Sequence, residues 1–251
     1  MKVQHVVAAM MMFATLVLSA GFAPAASLNG TSWLLKTLNG QPLKSNLQLT
    51  LNIENGKAFG DAGCNNYSGK YTEGGGNSLH IEKIYRTLVM CTPDQIMTQE
   101  SQFVSALKDA TIYHLVGKMM TLKNKNGVSL AVFNSQSQVI KGTSWKVGSI
   151  EGSNVIDGSK LTATFGTNGT VNGSAGCNSY SGSYTSSISG KKININKLGL
   201  TRMSCHKPVG VMMQENKFVE MMEAAKTYRI EADRLTISKA DGSRAVVLYK
   251  K

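Results

Sequence analysis

The chain lacks the usual signatures of catalysis. It has four histidines, no Gly-x-Ser-x-Gly elbow, no His-Glu-x-x-His helix and no phosphate-cradling glycine loop, so the motifs of a serine hydrolase, a zinc protease and a P-loop enzyme are all missing. It has no Cys-x-x-Cys, which argues against a dithiol redox pair or a zinc knuckle. Acidic residues are scarce, 15 against 27 lysines and arginines. Beyond one apolar stretch near the amino terminus, no segment is apolar and long enough to cross a bilayer. No enzymatic activity, cofactor or metal site is expected from these absences.

What is present is a duplication. Gly63-Cys64-Asn65-Asn66-Tyr67-Ser68-Gly69 recurs as Gly176-Cys177-Asn178-Ser179-Tyr180-Ser181-Gly182, and each copy is followed by a second cysteine, Cys91 or Cys205. Gly30-Thr31-Ser32-Trp33 recurs at Gly142-Thr143-Ser144-Trp145, and Glu100 to Val104 at Glu215 to Val219. The offset drifts only from 112 to 115 residues between these pairs, so the copies differ by single-residue loop insertions. A repeat of that length is a whole domain rather than a solenoid unit.

The amino terminus reads as an export signal. Lys2 and His5 precede an apolar run from Val6 to Leu18, and Ala23-Pro24-Ala25 has the small-x-small form of a cleavage site. Residues 1–26 are the expected signal peptide. The run is short for a membrane span, and no cysteine just after it could accept a lipid. Cleavage removes one cation, Lys2, from a net charge of +12 and leaves +11. The bases are scattered in short groups such as Lys191-Lys192, without the interleaved aromatics of a nucleic-acid platform, so no nucleic-acid partner is expected. A cationic surface facing an anionic envelope component fits this charge.

Within each copy the pattern is mostly strand with one helix. Leu47 to Ile53, Lys192 to Asn196 and Arg234 to Ser238 alternate apolar and polar residues, predicting strands with one face buried. Asn55-Gly56, Asn126-Gly127, Asn168-Gly169 and Asp241-Gly242 predict tight hairpins. After Pro93, residues Ile96, Phe103, Val104, Leu107 and Ala110 fall on one helical face, and Val211, Phe218, Val219, Met222 and Ala225 repeat the placement after Pro208. Met212-Met213 and Met221-Met222 suit core filling at this spacing better than copper ligation. The fold class expected is mainly β with one helix per domain (α+β), arranged as two tandem, compact, antiparallel β-barrel-like domains. The first spans residues 27–135 and the second 140–251, with Phe133 to Lys141 as the junction and limited hinge freedom between them.

These motifs resemble the META domain, the HslJ-like heat-shock family: Gly-Thr-x-Trp, Gly-Cys-Asn-x-Tyr-x-Gly, Thr-x-x-x-Cys and a Glu-x-x-Phe helix follow in order, twice. The second copy is nearer the family pattern, since Thr201-Arg202-Met203-Ser204-Cys205 keeps its arginine where Thr87-Leu88-Val89-Met90-Cys91 does not. The resemblance implies an exported β-rich domain associated with heat shock, envelope stress and tolerance of antibiotics such as novobiocin, without a defined reaction.

Four cysteines permit three pairings. Because each domain must solve its own folding problem, Cys64 with Cys91 and Cys177 with Cys205 is favoured, and an oxidising export compartment sustains such bonds. Trp33 and Trp145 are expected in the two cores. Glu100 and Glu215 are expected to face solvent or bond their own helix. Tyr67 and Tyr180 are expected as surface aromatics and, with Asn65, Asn178 and Arg202, as possible binding residues. The function expected is that of a periplasmic or secreted monomer that binds an envelope protein or anionic envelope component. The alternative is a module that sequesters a small molecule or inhibits an enzyme.

Overall fold

The computed structural model describes residues 27–43 and 47–251. The expected signal peptide lies outside the described residues. In the first half the chain forms β1 (Thr31–Leu38), β2 (Thr50–Glu54), β3 (Lys57–Asp61), β4 (Asn66–Glu73), β5 (Leu79–Arg86), α1 (Asp94–Asp109), β6 (Ile112–Val116), β7 (Met119–Lys123) and β8 (Ser129–Ser135). The second half repeats the order with β9 (Thr143–Ile150), β10 (Thr162–Phe165), β11 (Thr170–Ser174), β12 (Ser179–Ser187), β13 (Lys192–Ile195), α2 (Val211–Glu223), β14 (Thr227–Glu231), β15 (Arg234–Ser238) and β16 (Arg244–Lys250).

Each half is an antiparallel sheet curled on itself, with its helix inserted after the fifth strand. The first runs β5-β4-β3-β2-β1-β8-β7-β6, and its ends are joined by a bridge between Ser78 and Ile112. The second closes fully: β16 returns to β9, and Lys192 pairs with Thr227 across β13 and β14. Closure removes the exposed strand edges on which other chains could pair. The turn chemistry is as the sequence implies, with Asn55 and Gly56 both at positive φ, 52° and 72°, the conformation a two-residue hairpin demands. Gly60 and Gly173 answer a different need. A Cβ at either would lie 2.3 Å from the Thr50 carbonyl oxygen or 2.0 Å from that of Thr162, so only glycine lets β3 and β11 approach their neighbours where the sheet curls.

The helices fill the two interiors. Phe103, Val104, Leu107 and Ala110 are buried and Ile96 is half-buried, while Phe218, Met222 and Ala225 do the same in the second half. Phe103 meets the ring of Tyr67 edge-on at 5.7 Å, and Phe218 meets Tyr180 at 5.5 Å. Trp33 and Trp145 lie in these cores as expected, each donating its indole N–H to a threonine hydroxyl at 2.7 Å. Met221 and Met222 are also core residues, whereas Met213 is exposed.

Two elements tie the halves together. The junction is pinned to the second half. Gln138 is buried, its amide donates to the Ile230 carbonyl at 2.7 Å and accepts from the Ile230 N–H at 2.9 Å, and the Tyr228 hydroxyl donates to the Gln138 carbonyl at 2.6 Å. The β2–β3 hairpin then faces the β14–β15 hairpin. Asn52 donates to Glu231 at 2.7 Å, Arg229 pairs with Glu54 at 2.9 Å and Arg234 with Asp61 at 3.4 Å, and the Arg229 guanidinium lies 4.3 Å from the centre of the Phe59 ring. This corrects the expectation that β2 buries one face only. Thr50 and Asn52 are buried along with Leu51 and Ile53, because Asn52 bonds across the domain boundary and the Thr50 hydroxyl accepts the Asp61 N–H.

The start of the first domain is held by a single carboxylate. Glu73 accepts from the Leu28 N–H at 3.0 Å, the Ser27 hydroxyl at 2.9 Å and the Tyr113 hydroxyl at 2.9 Å. Partial burial pushes its pKa up, but these hydrogen bonds outweigh that and hold it below the ordinary glutamate value. A depressed carboxylate contributes stability that is present above its unfolded pKa and is lost as pH falls through the folded value. The first domain is therefore expected to weaken in acid below about pH 4.3, the ordinary glutamate value, and Glu73→Gln is expected to flatten that limb. Urea midpoints measured across the acid range check this.

Candidate functional site

The repeated cysteine motif builds the same buried cluster twice. Both disulfides form as expected, Cys64 with Cys91 and Cys177 with Cys205, across separations of 27 and 28 residues. Gly63 and Gly176 stand before them at φ 110° and 117°, a conformation that strains any residue with a side chain. Gly69 and Gly182 serve close packing instead, since a Cβ there would lie 2.9 Å from the Glu82 carbonyl oxygen or 2.6 Å from Leu198.

Asn65 and Asn178 are the hubs. The Asn65 carbonyl oxygen accepts from the Thr87 hydroxyl at 2.7 Å and the Val89 N–H at 2.8 Å, and its amide donates to the Val89 carbonyl at 3.0 Å. Asn178 does the same with Thr201 and Met203, at 2.7, 2.7 and 3.0 Å. Each asparagine therefore clasps the loop that delivers the second cysteine. Behind each stands a buried helical glutamate. Glu100 accepts from the Asn65 N–H at 2.8 Å, and Glu215 accepts from the Asn178 N–H at 2.6 Å and its amide at 2.8 Å. Glu100 and Glu215 are only 1% and 2% exposed. The expectation that these glutamates face solvent or bond their own helix is thereby corrected: they reach out of the helix to hold the motif. The two copies differ in one respect. Arg86 pairs with Glu100 at 2.9 Å, while Arg202 is exposed and enters no ion pair among the described residues.

Tyr67 and Tyr180 are not surface aromatics. Both are 3% exposed, because their rings pack on the helix phenylalanines and their hydroxyls donate to the carbonyls of Thr50 and Thr162 at 2.8 and 2.9 Å. Burial raises both phenol pKa values, and for Tyr67 the carboxylates of Glu231 and Asp61 add to the rise. The motif residues are thus occupied in building the fold, and among the described residues no cluster of three or more metal-ligating side chains accompanies them.

A concavity of the molecule lies at the domain junction and takes in Asn66, Tyr67, Ser68 and Thr87 of the first copy's motif. A groove of about 770 Å³ runs between the domains, lined by Glu54, Lys57 and Phe59 from one side and by Lys191, Arg229 and Arg234 from the other, with Tyr249 at its edge. Of the binding residues expected from the sequence, Tyr67 lines this groove, while none of its charged residues was singled out. A signal was nevertheless present: Lys191, Arg229 and Arg234 stand at positions whose counterparts in the first copy are Asn77, His114 and Met119. The charged residues of the groove are thus not repeated between the copies, although Tyr67, which also lines it, is.

Fold and site together define a tandem pair of disulfide-stapled, curled antiparallel domains with a groove at their junction. The family model of the META domain matches residues 26–137 and 138–251, and the chain belongs to the META domain family in two tandem copies. No curated protein matches. Among solved structures, an NMR structure of a protein from Burkholderia xenovorans is 23% identical over 51% of this chain and 98% of its own, with a TM-score of 0.38. A duf4847 family protein from Bacteroides vulgatus is 19% identical over 36% of this chain and 59% of its own, with a TM-score of 0.30. At these values the family assignment rests on the family match alone. The two disulfides point to an oxidising extracellular or periplasmic environment, and among the described residues no helix is long and apolar enough to cross a membrane.

Proposed function

We propose that this chain is an exported, non-enzymatic META-domain protein of the envelope stress response, which acts by binding an envelope component in the groove between its domains. One observation carries the reading: the residues repeated in both copies are occupied in stapling and packing, whereas the charged residues that line the groove, Lys57, Lys191, Arg229 and Arg234 among them, are found in one copy only. Its volume falls in the range of ligand sites, about 300–1,000 Å³, and its basic lining agrees with a net charge of +12.

A photo-crosslinking benzoylphenylalanine in place of Tyr249, which is 46% exposed at the groove edge, tests it in cells subjected to heat or novobiocin. The expected result is a discrete adduct with an extracytoplasmic component, stronger under stress than without it. A substitution at Lys125, on an exposed hairpin away from the groove, is expected to give none. Equal labelling from both positions, or a chain retained in the cytoplasm, would sink the proposal. A melting temperature that rises with purified novobiocin would instead move the assignment to capture of small molecules, because a ligand that binds only the folded state stabilises it by mass action.

A further inference from the structure

The groove is electrostatically unbalanced. Lys57, Lys191, Arg229, Arg234 and Arg244 line it against the two carboxylates of Glu54 and Glu231. Asp61, just outside, is already engaged by Arg234. Among the described residues, three nitrogen atoms of this wall, Lys191 Nζ, Arg229 Nη1 and Arg234 Nε, are buried without a hydrogen-bond partner. Lys191 is the most telling. It is only 4% exposed, and among the described residues its ammonium has one ion-pair partner, Glu54 Oε2 at 3.5 Å, a contact too long to be a good hydrogen bond. That same oxygen already accepts Arg229 Nη2 at 2.9 Å, so one carboxylate oxygen serves two cations. Burial lowers the Lys191 pKa and Arg229 lowers it further, while Glu54 and then Glu231 oppose both only in part. A buried ammonium kept short of acceptors is a feature that folding alone disfavours.

Resting on the reading of the groove as the binding site, we propose that it takes a phosphate-bearing ligand, whose oxyanion displaces Glu54 and accepts hydrogen bonds from Lys191 and Arg229. A phosphomonoester carries close to two negative charges at neutral pH, which suits a wall with three more cations than anions better than a single carboxylate does. Guanidinium forks and an ammonium are the usual donors to phosphate oxygens. Glu54, with a side chain 23% exposed, can turn to solvent when the oxyanion arrives. Phe59 and Tyr249 flank the space left for the rest of the ligand.

Free phosphate, a phosphorylated sugar and a phospholipid headgroup share this chemistry. Calorimetric titration of the oxidised full chain with inorganic phosphate, glucose 6-phosphate and phosphatidylglycerol vesicles, each matched in ionic strength with sodium chloride, separates the sources. Saturable binding is expected for at least one of the three. Lys191→Met is expected to weaken it about tenfold or more, as loss of a charge-assisted contact should. Glu54→Gln is expected to strengthen it by removing the competing carboxylate, and Lys125→Gln to leave it unchanged. Circular dichroism verifies that each variant is folded. Absence of saturable binding in all three titrations overturns the proposal, as does binding that Lys191→Met weakens no more than Lys125→Gln does. If phosphate binding fails while crosslinking at position 249 succeeds, the ligand chemistry is wrong and the groove reading stands.

Discussion

Replacing Cys177 and Cys205 by serine is expected to lower the stability of the second domain by about 3–4 kcal/mol, the chain-entropy value for a closed loop of this length. The bond closes 28 residues, and the closed segment contains β12, β13 and the first part of the loop that leads to α2. A domain of this size has about 5–15 kcal/mol in all, so the melting midpoint should fall by about 10–20 °C. Each domain carries one tryptophan, Trp33 or Trp145. In a Trp33→Phe background, emission therefore reports the second domain alone. Replacing Cys64 and Cys91 should move the first domain by a similar amount and leave the Trp145 signal nearly still. A midpoint unchanged by loss of either bond would show that the stapled loops are already ordered in the unfolded chain.

The disulfides and the asparagine clasps hold the same two loops, so their contributions should not add. Cys91 closes a segment in which Leu88 and Met90 are 94% and 91% exposed. With so little apolar burial of its own, this segment is fixed by Cys64 and by the hydrogen bonds of Asn65 to Thr87 and Val89. Residues that share a partner are those for which pairwise additivity fails.

How far the sequence could be read follows from where each signal resides. The cysteine pairing was legible because duplication eliminates the cross-domain alternatives, and the helices were legible because their apolar spacing is local. Alternation likewise marked β13 and β15, whose burial follows it residue by residue. Tyr67 misled because a turn-rich neighbourhood suggests exposure, whereas the curl of β4 aims its ring at Phe103. Glu100 misled for a related reason. A charged residue on a helix is ordinarily solvated, and its true partner, Asn65, is 35 residues distant. The domain junction was the least legible part, since contacts such as Asn52 with Glu231 join residues 179 apart and leave no periodicity behind. Comparing the two copies position by position recovers some of it, because Arg229 and Arg234 depart from the pattern of the first copy.

The second large effect is expected at Glu215. Glu215→Ala removes the two carboxylate oxygens that accept from Asn178, whose amide keeps only the Met203 carbonyl, and leaves its backbone N–H, buried with the rest of a residue 2% exposed, without a partner. Each orphaned buried donor costs about 1–3 kcal/mol, and the vacated carboxylate volume adds a cavity, so a loss of about 3–5 kcal/mol in the second domain is expected. Glu215→Gln separates shape from charge. Its amide oxygen can still accept the Asn178 N–H at 2.6 Å, but its NH2 then meets the Asn178 amide nitrogen donor to donor, and an intermediate loss should result. The first domain makes the control. Glu100→Gln also gives up the pair with Arg86, whose side chain is 34% exposed, and a contact this open adds at most about 1 kcal/mol. The two glutamine variants should therefore fall within about 1 kcal/mol of each other in urea unfolding. If Glu215→Ala proved nearly neutral while Asn178→Ala remained severe, the asparagine clasp would hold the motif without its buried glutamate, and retention of this carboxylate in both copies would need a reason other than folding.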